Sequence, residues 1–137
     1  LGDETQLRRL ARRASGRATA LVLGGGGARG FSHIGALRAL AEANVEIDMI
    51  GGTSIGSAIA GAHAVGLSPD EIVGLAESFA SKSKIMDRTL PIVALMEGRK
   101  LTGIYQGVYG DAQIEDLWIP YFAVSSGLEV LTAITSS

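Results

Sequence analysis

Cysteine is absent from the 137-residue sequence, which excludes disulfide bonds, thiol chemistry and zinc sites built on thiolates. An excess of charge of either sign is also missing, because 12 lysines and arginines stand against 14 aspartates and glutamates, for a net charge of -2. A protein that binds nucleic acid through its phosphates needs a concentrated basic surface. We therefore expect no nucleic-acid partner.

Long apolar segments are missing as well. No basic start leads into the apolar run of a signal peptide, and no run of about 20 apolar residues could cross a bilayer. We therefore predict a cytoplasmic protein, or one that binds a membrane at its periphery, with no transmembrane segment in this chain.

Glycine, by contrast, is abundant, with 19 residues against three prolines. Many of the glycines fall within residues 24–35 and 51–61, which indicates close backbone approach there. The length fits one globular domain. We assign residues 1–16 to an N-terminal amphipathic helix and residues 17–137 to the domain itself.

The N-terminal segment 5–14 has helical periodicity. One face carries leucine and alanine, and the other carries four arginines, namely Arg8, Arg9, Arg12 and Arg13. We expect a solvated amphipathic helix. The alternative is that the four arginines contact anionic lipid headgroups.

Two strand–loop–helix units follow this segment. Residues 18–27 and 45–52 each read as a buried strand running into glycines, and residues 31–43 and 54–66 as the helices after them. Ser68, Pro69 and Glu71 form a capping box that starts another helix. Residues 117–126 and 128–134 are predicted strands, the first an edge or interrupted strand because of Pro120. This alternation predicts an α/β fold with a mainly parallel sheet covered by helices.

The first glycine loop fits a dinucleotide-binding pattern, G-x-G-x-x-G, through Gly25, Gly27 and Gly30. The acidic residue that would hold the ribose is Asp48, but it lies at the beginning of its strand rather than at the end. A nucleotide-binding module therefore remains an alternative. A phosphate-binding P-loop is excluded, because Phe31 stands where that motif requires lysine.

The second glycine loop, Gly52-Thr53-Ser54-Ile55-Gly56, fits G-x-S-x-G between a strand and a helix, the context of a nucleophile elbow. The alternative is that Ser54 only caps the helix. Both glycine loops follow parallel strands, so they open on the same edge of the sheet. One loop could present the attacking hydroxyl and the other could direct backbone N–H groups at an oxyanion.

Neither histidine is a convincing general base for Ser54. His63 follows nine positions later on the same helix, about 13 Å away and turned to the opposite side. His33 lies in the first turn after the glycine loop, where we expect a structural role. A carboxylate is therefore the expected base.

Three segments, GGGGARG (24–30), HIGALRAL (33–40) and GGTSIGS (51–57), together resemble the patatin-like phospholipases. The segments DRTLP (87–91) and IEDLWIPYFAVS (114–125) resemble the branch related to neuropathy target esterase. The resemblance covers most of residues 17–125. It implies a three-layer α/β/α fold, a Ser–Asp dyad, and hydrolysis of phospholipid or lysophospholipid esters at a membrane surface without metal or cofactor.

Carried over by position, the resemblance makes Ser54 the nucleophile. The oxyanion-hole donors would be Gly25, Gly26 and Gly27. Arg29 would meet the substrate phosphate or brace its loop. The remaining motif positions are Gly30, Gly52 and Gly56.

The sequence departs from the family pattern in one respect, because no Asp-Gly-Gly or Asp-Gly-Ala segment supplies the catalytic aspartate. Asp111 and Asp116 are the available acids, and each is better explained as a turn or capping residue. We therefore expect a fold that is apparently truncated at its C-terminal end, with half a dyad and weak or no turnover. A catalytically silent lipid-binding fragment is a further alternative.

Overall fold

Three parallel strands form the sheet around which the chain is organised. A computed structural model describes residues 2–83, 117 and 119–124. The elements in chain order are α1 (Gly2–Ala14), β1 (Ala20–Leu23), a 3-10 turn (Gly27–Phe31), α2 (Ser32–Glu42), β2 (Met49–Thr53), α3 (Ile55–Ala64), α4 (Pro69–Ser83) and β3 (Tyr121–Val124). The predicted strands and helices up to residue 78 are thereby confirmed in type and order.

The sheet has the order β1-β2-β3, with both pairings parallel. Leu23 at the end of β1 pairs with Gly52, and Gly52 pairs with Ala123 of β3. The three carboxyl ends therefore meet at one edge. β3 begins directly after Pro120, and within the described residues it pairs with β2 alone. The predicted strand 128–134, like Asp111 and Asp116, lies outside the described residues.

The core lies between the sheet and helices α2, α3 and α4. Leu37 of α2, Ile50 of β2 and Ile59 of α3 are almost fully enclosed in it. Most of α3 is built from small residues and is buried, which lets this helix approach the sheet closely. Because its side chains are small, α3 can lie directly behind the end of β2.

The N-terminal helix forms as predicted, but its four arginines do not share one solvated face. Leu7 and Leu10 are 60% and 62% exposed, whereas Arg9 and Arg12 turn inward, with side chains only 11% and 25% exposed. The reason is Asp48, a fully buried carboxylate that needs partners. The interpretation of the four arginines as one lipid-facing surface is therefore wrong.

Asp48 is held by the strongest polar cluster in the described part of the chain. The Arg12 guanidinium donates through Nε at 3.0 Å and through Nη2 at 2.6 Å, and the Thr19 N–H donates at 3.0 Å. Arg9 Nε lies 3.8 Å from the same carboxylate, and Arg12 also pairs with Glu46. This cluster ties α1 to the amino end of β2.

The capping box that starts α4 is confirmed. Ser68 Oγ and the Ser68 N–H both lie 2.8 Å from the Glu71 carboxylate, and the Glu71 N–H donates back to Ser68 Oγ at 3.3 Å. Across residues 2–83 and 117–124, as far as they are described, none of the helices has the length and apolar character needed to cross a bilayer.

Candidate active site

Ser54 occupies the sharp turn between β2 and α3. Its backbone angles are φ 53° and ψ -132°, a region that residues with a Cβ rarely adopt and that costs on the order of 1–3 kcal/mol. The side chain is exposed. Although Ser54 stands at the N-cap position, its side chain makes no capping hydrogen bond. The capping interpretation is therefore not supported, and the hydroxyl is left accessible.

Two glycines make this turn possible. A Cβ atom at Gly52 or at Gly56 would come within 3.0 Å of the Leu23 carbonyl oxygen, closer than Cβ atoms come in real structures. The start of α3 therefore packs against the end of β1 backbone to backbone. This close contact accompanies the sharp turn at Ser54, whose side chain is exposed.

The first glycine loop lies beside Ser54, as expected for two glycine loops that open on the same edge of the sheet. A Cβ atom built on Gly25 would be 3.3 Å from the Cβ atom of Ser54. Gly26 and Gly27 have φ values of 144° and 57°, which side-chain-bearing residues rarely adopt. Gly30, at the far end of the loop, packs against Ile55, so the loop and the serine turn are also joined there.

The backbone N–H groups of this loop are available to a ligand. Among the residues that the structure describes, the N–H groups of Gly25 and Gly26 donate no hydrogen bond. Backbone donors of this kind can stabilise an oxyanion. The structure thus brings together the serine and the loop glycines.

Two further contacts hold the serine turn, and no sequence pattern predicts either of them. Ser57 Oγ donates to the Ser54 carbonyl oxygen at 2.6 Å. Tyr121, from β3, donates through its hydroxyl to the Ser57 carbonyl oxygen at 3.0 Å. Both contacts fix the first turn of α3, and the second crosses 64 positions of sequence.

Arg29 lies in the 3-10 turn and is exposed. Its carbonyl oxygen accepts a hydrogen bond from Ser32 Oγ at 2.8 Å. Within residues 2–83 and 117–124, to the extent described, its guanidinium has no ion pair or hydrogen bond. The side chain therefore does not brace the loop through any described residue.

The described histidines do not supply a base for Ser54. His33 Nε2 lies 2.9 Å from the Gly24 carbonyl oxygen, a structural contact of the expected kind. His63 lies near the other end of α3, where burial lowers its pKa, and its Nδ1 is buried without a partner among the described residues.

Asp48 does not support the nucleotide-binding alternative. The carboxylate is fully buried, and hydrogen bonds from Arg12 lower its pKa and keep it ionised. It lies six residues before Ser54 at the opposite end of β2, about 20 Å away at about 3.3 Å per residue. It can therefore neither reach a ribose at the glycine loop nor act as the base for Ser54. The described side chains also contain no group of three or more metal-ligating residues.

Comparison with known proteins agrees with this geometry. The family described as "Patatin-like phospholipase" matches residues 21–134. The chain is 44% identical over 125 residues to human "Patatin-like phospholipase domain-containing protein 6" and 43% identical over 125 residues to rat "Patatin-like phospholipase domain-containing protein 7". It is 43% identical over 126 residues to "Lysophospholipase nte1" of Neurospora crassa.

These alignments cover 88% of this chain but only 9% of the human and rat proteins and 8% of the fungal one. The chain thus corresponds to one small part of much longer relatives. The resemblance to the neuropathy target esterase branch, inferred from the sequence motifs, is confirmed.

Proposed function

Because the chain belongs to the patatin-like phospholipase family, we propose that it carries the nucleophile of a serine acyl hydrolase and that Ser54 is the attacking residue. The observation that carries the proposal is the exposed, backbone-strained Ser54, which stands at a helix N-terminus without capping it. A nucleophile elbow holds its serine in this kind of turn.

In the proposed reaction, Ser54 Oγ attacks the ester carbonyl carbon while a carboxylate accepts the hydroxyl proton. The carbonyl oxygen becomes an oxyanion, stabilised by the N–H groups of Gly25, Gly26 and Gly27. Collapse breaks the bond to the alcohol, which takes the proton back from the carboxylic acid. Water, deprotonated by the same carboxylate, then attacks the acyl carbon. The bond to Ser54 Oγ breaks, the fatty acid leaves, and Ser54 Oγ takes the proton back from the carboxylic acid.

The base that we propose is an aspartate, which together with Ser54 forms the dyad implied by the family. Asp48 and both histidines are excluded as the base by their position or by their contacts. Asp111 and Asp116 lie outside the described residues, and we assign neither.

The proposed substrates are phospholipid or lysophospholipid esters presented at a membrane surface. The names of the relatives, a phospholipase domain-containing protein and a lysophospholipase, support this substrate class. Arg29 adds a physical argument, because its exposed guanidinium stands in the same loop as the proposed oxyanion donors. A guanidinium can bind a phosphate through two parallel hydrogen bonds.

The test is Ser54→Ala in the complete protein that contains this chain, assayed with lysophosphatidylcholine. We expect hydrolysis to be abolished, and covalent labelling by a fluorophosphonate to be lost with it. Ser15→Ala is the matched control, because this exposed serine lies at the end of α1 and its side chain contacts only a backbone carbonyl. It should keep the parent rate.

An undiminished rate in Ser54→Ala would contradict the proposal. If the parent protein binds phosphatidylcholine liposomes but neither hydrolyses lysophosphatidylcholine nor reacts with the fluorophosphonate, the catalytically silent alternative is correct instead.

A further inference from the structure

The carbonyl group of Gly24 is held by a side chain from a neighbouring helix. His33, in the first turn of α2, places Nε2 2.9 Å from the Gly24 oxygen. A carbonyl oxygen can only accept a hydrogen bond, so the contact requires a proton on Nε2. The ring therefore acts here as a donor fixed to a regular helix.

This contact also determines the direction of the next N–H group. A trans peptide is planar, so the C=O of Gly24 and the N–H of Gly25 lie in one plane and point in opposite directions. A hydrogen bond that fixes the Gly24 oxygen therefore fixes the Gly25 N–H as well. Gly25 is the loop residue whose Cβ position would lie 3.3 Å from the Cβ atom of Ser54.

The peptide needs such a restraint because the loop around it is made of glycine. Residues 24–27 have no side chains to limit rotation, and two of them already have positive φ. A Cβ atom at Gly24 would meet nothing within 4 Å, so the loop is not confined by packing on that side. On the other side the Gly24 oxygen packs closely over Gly56.

We propose that His33 is a positioning residue for the oxyanion hole: its Nε2–H holds the Gly24–Gly25 peptide so that the Gly25 N–H faces the oxygen on which negative charge develops. This role rests on the proposed function of Ser54 as nucleophile. Since the oxyanion exists only in the transition state and the intermediate, a misdirected donor lowers kcat and leaves KM almost unchanged.

The test compares His33→Leu with His33→Gln in the complete protein, using lysophosphatidylcholine hydrolysis. Loss of one oxyanion donor costs about 10²–10³ in rate, so we expect His33→Leu to lose between about tenfold and that full amount in kcat. Its KM should stay within about threefold. The amide nitrogen of glutamine can approach the position of Nε2, so His33→Gln should recover most of the lost kcat.

Two controls separate positioning from general structural damage. His63→Gln replaces the other histidine, which lies away from the serine turn, and should keep kcat within about threefold of the parent. Thermal unfolding of each variant reports folding. If His33→Leu does not fold, His33→Asn takes its place, because its shorter amide stops short of the Gly24 oxygen and should lose kcat where His33→Gln keeps it.

A kcat of His33→Leu within threefold of the parent would overturn the positioning role, as would an equal loss in His33→Gln. Ser54→Ala reports on the underlying function separately. If Ser54→Ala is inactive while His33→Leu is fully active, only the positioning role fails. If Ser54→Ala stays active, the proposed nucleophile itself fails.

Discussion

Replacing Asp48 with asparagine should lower the free energy of unfolding by about 2–4 kcal/mol. The carboxylate is fully buried and accepts hydrogen bonds from Arg12 and from the Thr19 N–H. Asparagine keeps the size but removes the charge and brings an NH2 group near the guanidinium. Removing one partner of a buried ion pair costs about 3–5 kcal/mol. We expect less because Arg12 is 25% exposed and also pairs with Glu46.

The assay is urea unfolding followed by circular dichroism, extended to a double-mutant cycle with Arg12→Met. The two residues are in direct contact, so their effects should not add, and the coupling free energy should be about 1–3 kcal/mol. Arg8→Met is the matched control, since Arg8 pairs only with the exposed Glu4 four residues away. An Asp48→Asn protein as stable as the parent, or a coupling energy near zero, would refute the reasoning.

The same carboxylate gives the prediction a pH dependence. Hydrogen bonding to Arg12 lowers the pKa of Asp48 below the value of about 4 that it has in the unfolded chain. A group of this kind contributes its full stability above the unfolded pKa and loses it as the pH falls through the folded pKa. The urea midpoints of the parent and of Asp48→Asn should therefore differ at pH 6. As the pH falls below about 4, the midpoint of the parent should approach that of Asp48→Asn.

Two further substitutions test the support of the serine turn. Gly56→Ala should lower the free energy of unfolding by about 3 kcal/mol, measured in urea, because the new Cβ atom meets backbone carbonyls. Gly35→Ala is the control, since Gly35 in α2 has open space around it, and it should raise the free energy of unfolding by about 1 kcal/mol. Equal effects at the two glycines would contradict the close packing. Tyr121→Phe removes the hydrogen bond to Ser57 and should cost about 0.5–1.5 kcal/mol in the same assay; an unchanged stability would mean that this contact does not hold α3.

Features set by local spacing could be predicted from the sequence. The capping box needs only Ser68 and Glu71 three positions apart, and the serine turn needs only glycines at fixed offsets around Ser54. The shared edge of the two loops followed from the parallel sheet. The capping box and the serine turn each depend on only a few neighbouring residues, so contacts with distant parts of the chain had little effect on them.

Features set by distant partners could not be predicted. The leucines of α1 are exposed because Asp48, 36 positions after Arg12, is buried and takes the arginines instead. Whether Ser54 caps α3 depends on how closely the end of β1 packs against Gly56. The spacing of residues along the chain does not predict this contact. The bond from His33 to Gly24 likewise depends on where α2 lies against the loop, so only a structural role in general could be expected for that histidine.

The strand β2 separates a buried ion pair at one end from an uncharged serine at the other. At one end a carboxylate and a guanidinium neutralise each other, and at the other an uncharged hydroxyl faces solvent. A nearly neutral pair about 20 Å away exerts little field on the Ser54 hydroxyl oxygen. The anchoring of α1 and the surroundings of the Ser54 hydroxyl can therefore vary independently, so a change in the pair of Arg12 and Asp48 would alter the stability of the fold and leave the potential at the serine almost unchanged.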